Sequence, residues 1–181
     1  MTREQVVAAA VPETPVAACG LGALPIAGPA LRELYLYWRD KWQGERMPTR
    51  ADIEPLEIPS LLPQVYLVDI ERDPLDFRFR LVGTRIVAWF GRDMTGQRVA
   101  DRLADRYREV VETGRPVYDS LSLPGKSDRH GSYQRLVMPL AGEEGRIEML
   151  FGGVQPTPAA VRGPSRPRAG MRPGVYTGAG L

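Results

Sequence analysis

The fold of this chain is decided by Phe77-Arg-Phe-Arg-Leu-Val-Gly-Thr-Arg-Ile86 and by the turn Gly91-Arg-Asp-Met-Thr-Gly-Gln97 that follows it. The two phenylalanines and Leu81 alternate with arginines, which is the period-2 pattern of a strand with one dry and one wet face. Gly83 ends that pattern, and the apolar residues that follow, up to Phe90, are too dense for a loop. The stretch therefore predicts a strand that leads directly into a helix, a step that builds the wall of a ligand pocket or a signalling surface.

An amphipathic helix is predicted upstream, over residues 31–43, where Pro29 suits the first turn and Gly44 the end. Its apolar stripe has helical spacing and consists of Leu31, Leu34, Tyr35, Trp38 and Trp42. Prolines at 55, 59 and 63 forbid a long helix over 47–63 and favour short turns. The apolar residues expected to pack inward from these turns are Leu56, Ile58, Leu61 and Leu62.

The rest of the chain predicts one more helix and four more strands. A strand over 65–70 and a turn at Asp73-Pro74 precede the deciding stretch, and the glycines of 91–96 are expected to have positive φ, with Asp93 or Thr95 as a cap. The helix covers about 101–113, with Asp101 as its N-cap, and the later strands cover about 116–123, 131–140 and 146–154. The predicted fold is α+β, a five-stranded antiparallel sheet with helices on one face and an N-terminal amphipathic helix.

Composition predicts one domain with a tail at each end. Residues 1–28 are rich in Ala, Pro and Gly and read as a flexible leader, 29–155 as the domain, and 156–181 as a disordered basic Pro/Gly/Arg tail. The last segment holds four arginines and no acid, whereas the whole chain carries +2, so the domain is slightly acidic. A nucleic-acid-binding domain would usually show a basic body instead.

The chain has one cysteine, Cys19, and one histidine, His130, which limits its chemistry. No cysteine cluster can hold a metal, so no metal site is expected. A catalytic Cys–His pair would have to bring Cys19, in the Pro- and Ala-rich leader, next to His130, in a polar loop, and it is not expected. His130, flanked by Asp128 and Gly131, is expected to be an exposed loop residue.

Several motifs, in order, resemble the PAS domain, and in particular short single-domain bacterial PAS-like proteins that mostly have no assigned function. The resemblance covers nearly all of 31–154 and implies the PAS fold, with a role in sensing or protein–protein signalling and no catalytic residues. The motifs are Tyr37-Trp38, Pro48-Thr49-Arg50-Ala51-Asp52-Ile53, Ile58-Pro59, Leu61-Leu62-Pro63, the step over 77–86 and Gly91-Arg-Asp-Met-Thr-Gly96.

PAS domains commonly hold a cofactor or metabolite between the sheet and the helices, and each choice makes a demand on the residues. A covalent flavin adduct needs a cysteine, which 29–155 lacks, and a haem usually needs a histidine on a helix. Neither is expected, and the cofactor stays unknown. A bound carboxylate would need a cation; Arg85 at the helix start is the best choice, although a solvent-facing arginine is the simpler interpretation.

The other pocket candidates are apolar. Phe79 and Leu81 are expected to share a face with Leu121 and with Val137 or Met138. Met149 and Phe151 of the last strand join them, and Trp89 of the helix closes the wall. A filled core is the simpler interpretation, but the same side chains could line a cavity for a small metabolite. The pocket candidates are Phe79, Leu81, Arg85, Trp89, Leu121, Met138, Met149 and Phe151.

The aromatic helix and the turn after it are the candidates for contact with another protein. Two tryptophans and a tyrosine exceed what a peripheral helix needs, so the helix is expected to cover its own sheet and to contribute to a homodimer. Asp52 is expected to cap a solvated turn, and the neighbouring Arg50 to form an ion pair or a partner contact. The interaction candidates are Leu34, Tyr35, Trp38, Trp42, Arg50 and Asp52.

The leading functional hypothesis is a stand-alone cytoplasmic regulatory module that acts by protein–protein interaction, modulated by a non-covalent small ligand. No apolar run reaches the length of a membrane span, and Pro12, Glu13 and Pro15 interrupt any signal peptide. One alternative is a small enzyme, which lacks an evident His, Cys or carboxylate pair. Another is a nucleic-acid-associated factor that uses the arginine tail, although a solvated linker is the simpler interpretation of that tail.

Overall fold

The computed structural model describes residues 24–122, 132–142 and 144–157. Its α-helices are α1 (Pro29–Asp40), α2 (Thr84–Phe90) and α3 (Asp101–Thr113). Its strands are β1 (Val65–Glu71), β2 (Asp76–Val82), β3 (Val117–Ser122), β4 (Ser132–Ala141) and β5 (Ile147–Pro156). Short 3₁₀ turns at Arg50–Asp52, Pro55–Glu57 and Leu62–Gln64 join α1 to β1.

The strands form one antiparallel sheet in the order β2-β1-β5-β4-β3, so the last strand of the chain lies at its centre. This confirms the predicted five-stranded antiparallel sheet. The chain passes from one edge strand to the other through α2 and α3, which pack on one face of the sheet. Nearly every residue of β4 is buried, because α1 covers the opposite face.

Helix α1 covers its own sheet, as predicted. Pro29 stands in its first turn, and the buried stripe ends with Trp38, which has no exposed surface and donates its indole N–H to the Pro139 carbonyl oxygen at 2.9 Å. The helix ends at Asp40, before the predicted residue 43, so Trp42 lies in the following turn with its ring edge against Trp38, 5.7 Å between centroids.

The alternation of β2 changes at Arg80, because two residues there face one residue of β1. Leu81 pairs with Leu67, whereas Phe79 pairs with the next residue, Val68. Such a β-bulge reverses the face on which later side chains lie. Val82 therefore takes the buried position and Leu81 is 44% exposed, so the prediction that Leu81 faces inward with Phe79 is wrong.

The prolines of 47–63 do break the chain into short turns, but the expectation for the leucines is only half correct. Ile58 and Leu61 are buried, whereas Leu56 is 85% exposed and Leu62 is 36% exposed. A single 3₁₀ turn such as Pro55–Glu57 has no continuous apolar face, so the residue in its middle points outward while its flanks are anchored.

Residues 91–100 connect α2 to α3 and take the form the sequence predicts. Gly91 and Gly96 have positive φ, 72° and 77°, and Asp93 accepts the Thr95 amide at 2.8 Å. The start of α3 differs from the prediction. Ala100 occupies the N-cap, and Asp101 lies inside the first turn, where it pairs with an arginine rather than with the helix amides.

Candidate functional site

A small cavity lies between the sheet and the helices α2 and α3. Its volume is about 40 Å³. The sheet contributes aromatic and branched side chains to its floor, and the helices, with the segment between them, contribute its roof. The lining residues are Tyr66, Phe79, Val82, Ile86, Phe90, Met94, Leu103, Tyr107, Arg135 and Val154.

Tyr66 forms the floor of the cavity because the strand beside it carries a glycine. A Cβ atom on Gly152 would lie 2.4 Å from the Tyr66 ring, closer than side-chain atoms approach one another. The Tyr66 hydroxyl donates to the Leu136 carbonyl oxygen at 3.1 Å, and the ring lies 6.3 Å from that of Tyr107 on α3. Sheet and helix are thus joined across the cavity by two aromatic rings.

An ion pair between a buried arginine and a partly buried aspartate closes one side of the cavity. Arg135 is 2% exposed, and it donates from Nε and Nη2 to the two carboxylate oxygens of Asp119, at 3.0 and 2.7 Å. Its Nη1 donates to the Leu103 carbonyl oxygen at 3.4 Å, and its guanidinium lies 5.2 Å from the centre of the Tyr107 ring. This two-pronged geometry is the strongest form of arginine–carboxylate pair.

The pKa shifts at this ion pair keep Arg135 charged and keep the neighbouring Tyr66 and Tyr107 neutral. Burial by itself lowers the pKa of Arg135, but the hydrogen bonds to Asp119 and the negative charge of its carboxylate outweigh burial, so the pKa of Arg135 is raised. Burial also raises the pKa of Tyr66 and of Tyr107, so both phenols stay protonated and can donate hydrogen bonds. The cavity wall is therefore apolar apart from one cation that is already neutralised.

This geometry restricts what the cavity can hold. Ligand pockets for drug-sized molecules span roughly 300–1,000 Å³, whereas a single water needs about 10–15 Å³ of such space. At about 40 Å³, the cavity accommodates only a few non-hydrogen atoms unless its walls move. A negatively charged ligand would also have to compete with Asp119 for Arg135.

The pocket candidates from the first half of the domain are spread over three environments. Phe79 lines the cavity. Trp89 is half-buried with its ring 5.9 Å from that of Tyr133, outside the cavity lining. Arg85 is exposed at the start of α2, and Leu81 is turned away by the bulge.

Met138, Met149 and Phe151 lie on the opposite face of the sheet, so the prediction that they share a face with Phe79 is wrong. They belong to the core beneath α1. The register explains this, because directly paired residues share a face: Phe79 pairs with Val68, and Val68 pairs with Leu150 rather than with its neighbours. Val137, the alternative to Met138, does lie on the side of Phe79.

The backbone of Leu121 pairs with Tyr133 on β4. Its side chain lies outside the described part of the structure, and its role as a pocket residue stays a prediction.

The interaction candidates on α1 are used inside the domain. Leu34, Tyr35 and Trp38 are at most 4% exposed and pack on the sheet, so they are not available to a partner while α1 is docked. Trp42 is partly buried against both cores. The buried Tyr35 hydroxyl and Trp42 indole N–H have no hydrogen-bond partner within the described residues.

The turn after α1 holds an ion pair that differs from the one expected. Asp52 pairs through both oxygens with Arg46, at 3.0 Å each, and accepts the Thr49 amide at 2.8 Å, which fits its predicted capping role. Arg50 is exposed and donates to the Ile53 carbonyl oxygen at 2.9 Å instead. The hydrogen bond from Arg46 lowers the pKa of Asp52 most strongly, followed by that from the Thr49 amide.

Sequence reasoning missed the buried polar cluster of Tyr66, Tyr107, Asp119 and Arg135. One signal was present, since Arg135 interrupts a strand that is otherwise rich in apolar residues. A charge at such a position has to find a buried partner. The partner itself was hidden, because Asp119 lies on a different strand, 16 residues away in the sequence.

Several sequence expectations fall outside the described residues: the leader before Leu24, Cys19, His130 and the arginines beyond residue 157. Within residues 24–122, 132–142 and 144–157, no group of three or more His, Cys, Asp or Glu side chains could hold a metal ion. Among the helices of that same part, none combines the length and the apolar character that crossing a membrane requires.

Comparison with known proteins identifies relatives of the fold. The sequence pattern of the PAS domain matches residues 26–155. Similar solved structures include the PAS domain of BvgS from Bordetella pertussis, with 16% identity, coverage of 58% of this chain and 85% of that chain, and a TM-score of 0.41. A sensory box histidine kinase from Vibrio cholerae has 18% identity, coverage of 56% and 90%, and a TM-score of 0.40.

A light-oxygen-voltage domain studied with a flavin analogue has 13% identity, coverage of 58% of this chain and 84% of that chain, and a TM-score of 0.45. No curated protein matches the chain.

Proposed function

This chain belongs to the PAS-domain family, and from that premise we propose that it is a sensory and regulatory module that acts by binding a protein partner. The observation that carries this proposal is the filled interior. Helices cover both faces of the sheet, and a cavity of only about 40 Å³ is left between the sheet and α2 and α3. An interior so full favours a function carried by the surface of the domain.

A small ligand can still modulate such a module. The cavity is apolar and its cation is paired with Asp119, so the ligand is an uncharged molecule of a few non-hydrogen atoms, bound without a covalent bond. It would act by changing how α3, which carries Tyr107, packs on the sheet. The protein works in the cytoplasm and forms a homodimer in this proposal.

Native mass spectrometry of the full chain, together with its visible absorption spectrum, tests the interior. We expect a colourless protein with the mass of the polypeptide alone, or with a small uncharged adduct. A stoichiometric flavin or haem would contradict the proposal, because neither fits beside Phe79 and Tyr107 without displacing α2 or α3.

A binding experiment tests the partner. The purified chain, immobilised, is expected to retain one protein from its native extract at a constant molar ratio. A Leu36→Ala variant, which changes one exposed side chain, serves as the control. If the same bait retains nothing reproducibly while the fold is intact, the interaction proposal fails.

We do not propose an enzyme, because the residues that line the cavity include no histidine, cysteine or carboxylate. The nucleic-acid alternative depends on the arginines of 156–181, which all lie outside the described residues, and it stays a prediction. Deleting that tail separates the hypotheses, since only a nucleic-acid factor would lose a salt-dependent affinity.

A further inference from the structure

The two edge strands of the sheet, β2 and β3, differ in how they are covered. The free edge of β2 is covered by the chain itself, as the segment after α2 runs beside it. The Phe79 amide donates to the Gln97 carbonyl oxygen at 3.0 Å, and the Val99 amide donates to the Phe77 carbonyl oxygen at 2.8 Å. Arg78 and Arg98 form a bridge between the same segments. This edge therefore offers few backbone groups to another strand.

The other edge strand, β3, pairs only with β4 within the described residues. Exposed edges are usually blunted by lysine, proline or an inward-pointing charge. β3 contains neither lysine nor proline. Its single charge, Asp119, points inward, where Arg135 of the neighbouring strand and Arg106 of α3 neutralise it. Among the described residues, no second strand pairs with this edge, and its one inward-pointing charge is already neutralised.

The side chains next to this edge are also incompletely covered. Val117 and Tyr118 are only half-buried, and they pack on opposite faces of the sheet, Val117 towards α3 and Tyr118 towards α1. Ser120 is exposed. A strand added beside β3 would cover the apolar side chains on both faces at once.

We propose that β3 pairs antiparallel with β3 of a second copy of this chain, so that the two sheets become one. An antiparallel pair of identical strands is self-complementary and has the two-fold symmetry of most homodimers. No like charges would oppose each other across the axis, because both Asp119 carboxylates are turned to their own Arg135. The aromatic stripe of α1 is already buried on its own sheet and cannot supply this interface.

The proposal rests on the proposed regulatory function only in that the dimer is the species a partner or ligand would regulate. A single pair of six-residue strands buries little area, so the dimer should be weak and depend on concentration. Such an equilibrium is well placed to be shifted by small changes at the α3 face of the same strands.

Sedimentation velocity over a range of concentrations provides the first test. We expect wild-type protein to move from monomer to dimer, and Ser120→Lys to weaken association about tenfold or more, because an edge lysine opposes strand pairing. Ser60→Lys, which adds the same charge to an exposed turn, should associate like the wild type. A monomer at every concentration, or a dimer that Ser120→Lys leaves unchanged, overturns the proposal.

Cysteine cross-linking provides a test that does not depend on weakening the dimer. In a Cys19→Ser background, Ser120→Cys lies near the middle of β3 and is expected to form an intermolecular disulfide under mild oxidation, whereas Ser60→Cys is not. Equal cross-linking of both variants overturns the proposal. So does a monomer whose β3 amides are protected from hydrogen exchange, which would mean that another part of the chain covers the edge.

These results are independent of the partner experiment. If the chain stays monomeric but still retains a protein partner, the dimer proposal fails together with the homodimer of the proposed function, whereas partner binding stands. If it dimerises through β3 and retains no partner, only the proposed function fails.

Discussion

Gln134 and Arg135 are neighbours on β4, yet they face different interiors. Beneath α1, Gln134 accepts a hydrogen bond from the Gln155 amide at 3.1 Å, and the Gln155 oxygen accepts the Leu31 amide at 3.4 Å. On the other face, Arg135 forms a charged pair with Asp119 beside a cavity. The neutral pair helps to close a dry core, whereas the charged pair holds helix, strand and cavity in one arrangement. In the proposed function, the α1 face is a permanent cover and the α3 face is the one that responds to a ligand or partner.

Removing the main anchor of α1 should give the largest effect. Trp38→Ala is expected to lower the free energy of unfolding by about 4 kcal/mol, because it leaves a cavity and an unpaired Pro139 carbonyl. Leu36→Ala, on the outer side of α1, should cost well under about 1 kcal/mol. Urea denaturation measures both. A small loss for Trp38→Ala would mean that α1 is not a permanent cover.

Breaking the pair of Arg135 and Asp119 should give the next largest loss of stability. Asp119→Ala leaves a buried guanidinium without its carboxylate and is expected to cost about 3 kcal/mol in urea denaturation. Asp69→Ala removes an ion pair on the exposed Arg80 and should cost about 0.5 kcal/mol.

Replacing both partners of the charged pair tests the same point from the other side. A double variant, Arg135→Met with Asp119→Leu, should recover most of the loss, since apolar residues need no partner. If Asp119→Ala and Asp69→Ala cost the same free energy of unfolding, the pair beside the cavity contributes no more than an exposed ion pair.

Gly152 and Gly153, in the central strand β5, allow the packing of the two faces to be compared with a smaller change. A Cβ on Gly152 would lie 2.4 Å from the Leu136 carbonyl oxygen, which is backbone, whereas one on Gly153 would meet the Leu34 side chain at 2.7 Å. Gly152→Ala is therefore expected to cost about 3 kcal/mol and Gly153→Ala about 1 kcal/mol. Thermal unfolding of the two variants compares them, and the reverse order would show that the α1 face is the more tightly packed.

The ion pair after α1 should give the smallest effect and a dependence on pH. The pKa of Asp52 is lowered in the folded protein, so its stabilisation is complete above its ordinary pKa of 3.8 and is lost as the pH falls towards the lowered value. Asp52→Asn should cost about 1 kcal/mol at neutral pH, since Arg46 is half-exposed, and should flatten the loss of stability in acid. An unchanged dependence of stability on acid pH would show that the Arg46–Asp52 ion pair does not stabilise the turn after α1.

The elements of this fold could be predicted because their signals are local. The alternation over 77–82, the stripe of α1 and the glycines at 91 and 96 each report on a few neighbouring residues. The faces could not be predicted. One bulge at Arg80 turned Leu81 outward, and the register placed Met138 and Phe151 under α1. A one-residue change in register moves a side chain to the other face, and the pattern of a single strand does not reveal its partner's register.

The sequence by itself determined the antiparallel sheet and the covering helix, because hydrophobic periodicity and turn residues act over short distances. Only the tertiary structure decided that Arg135 meets Asp119, that the interior keeps a cavity of about 40 Å³ and that β3 has a free edge in the described part. These features depend on residues brought together from distant parts of the chain. Their chemistry exists only once the strands have paired.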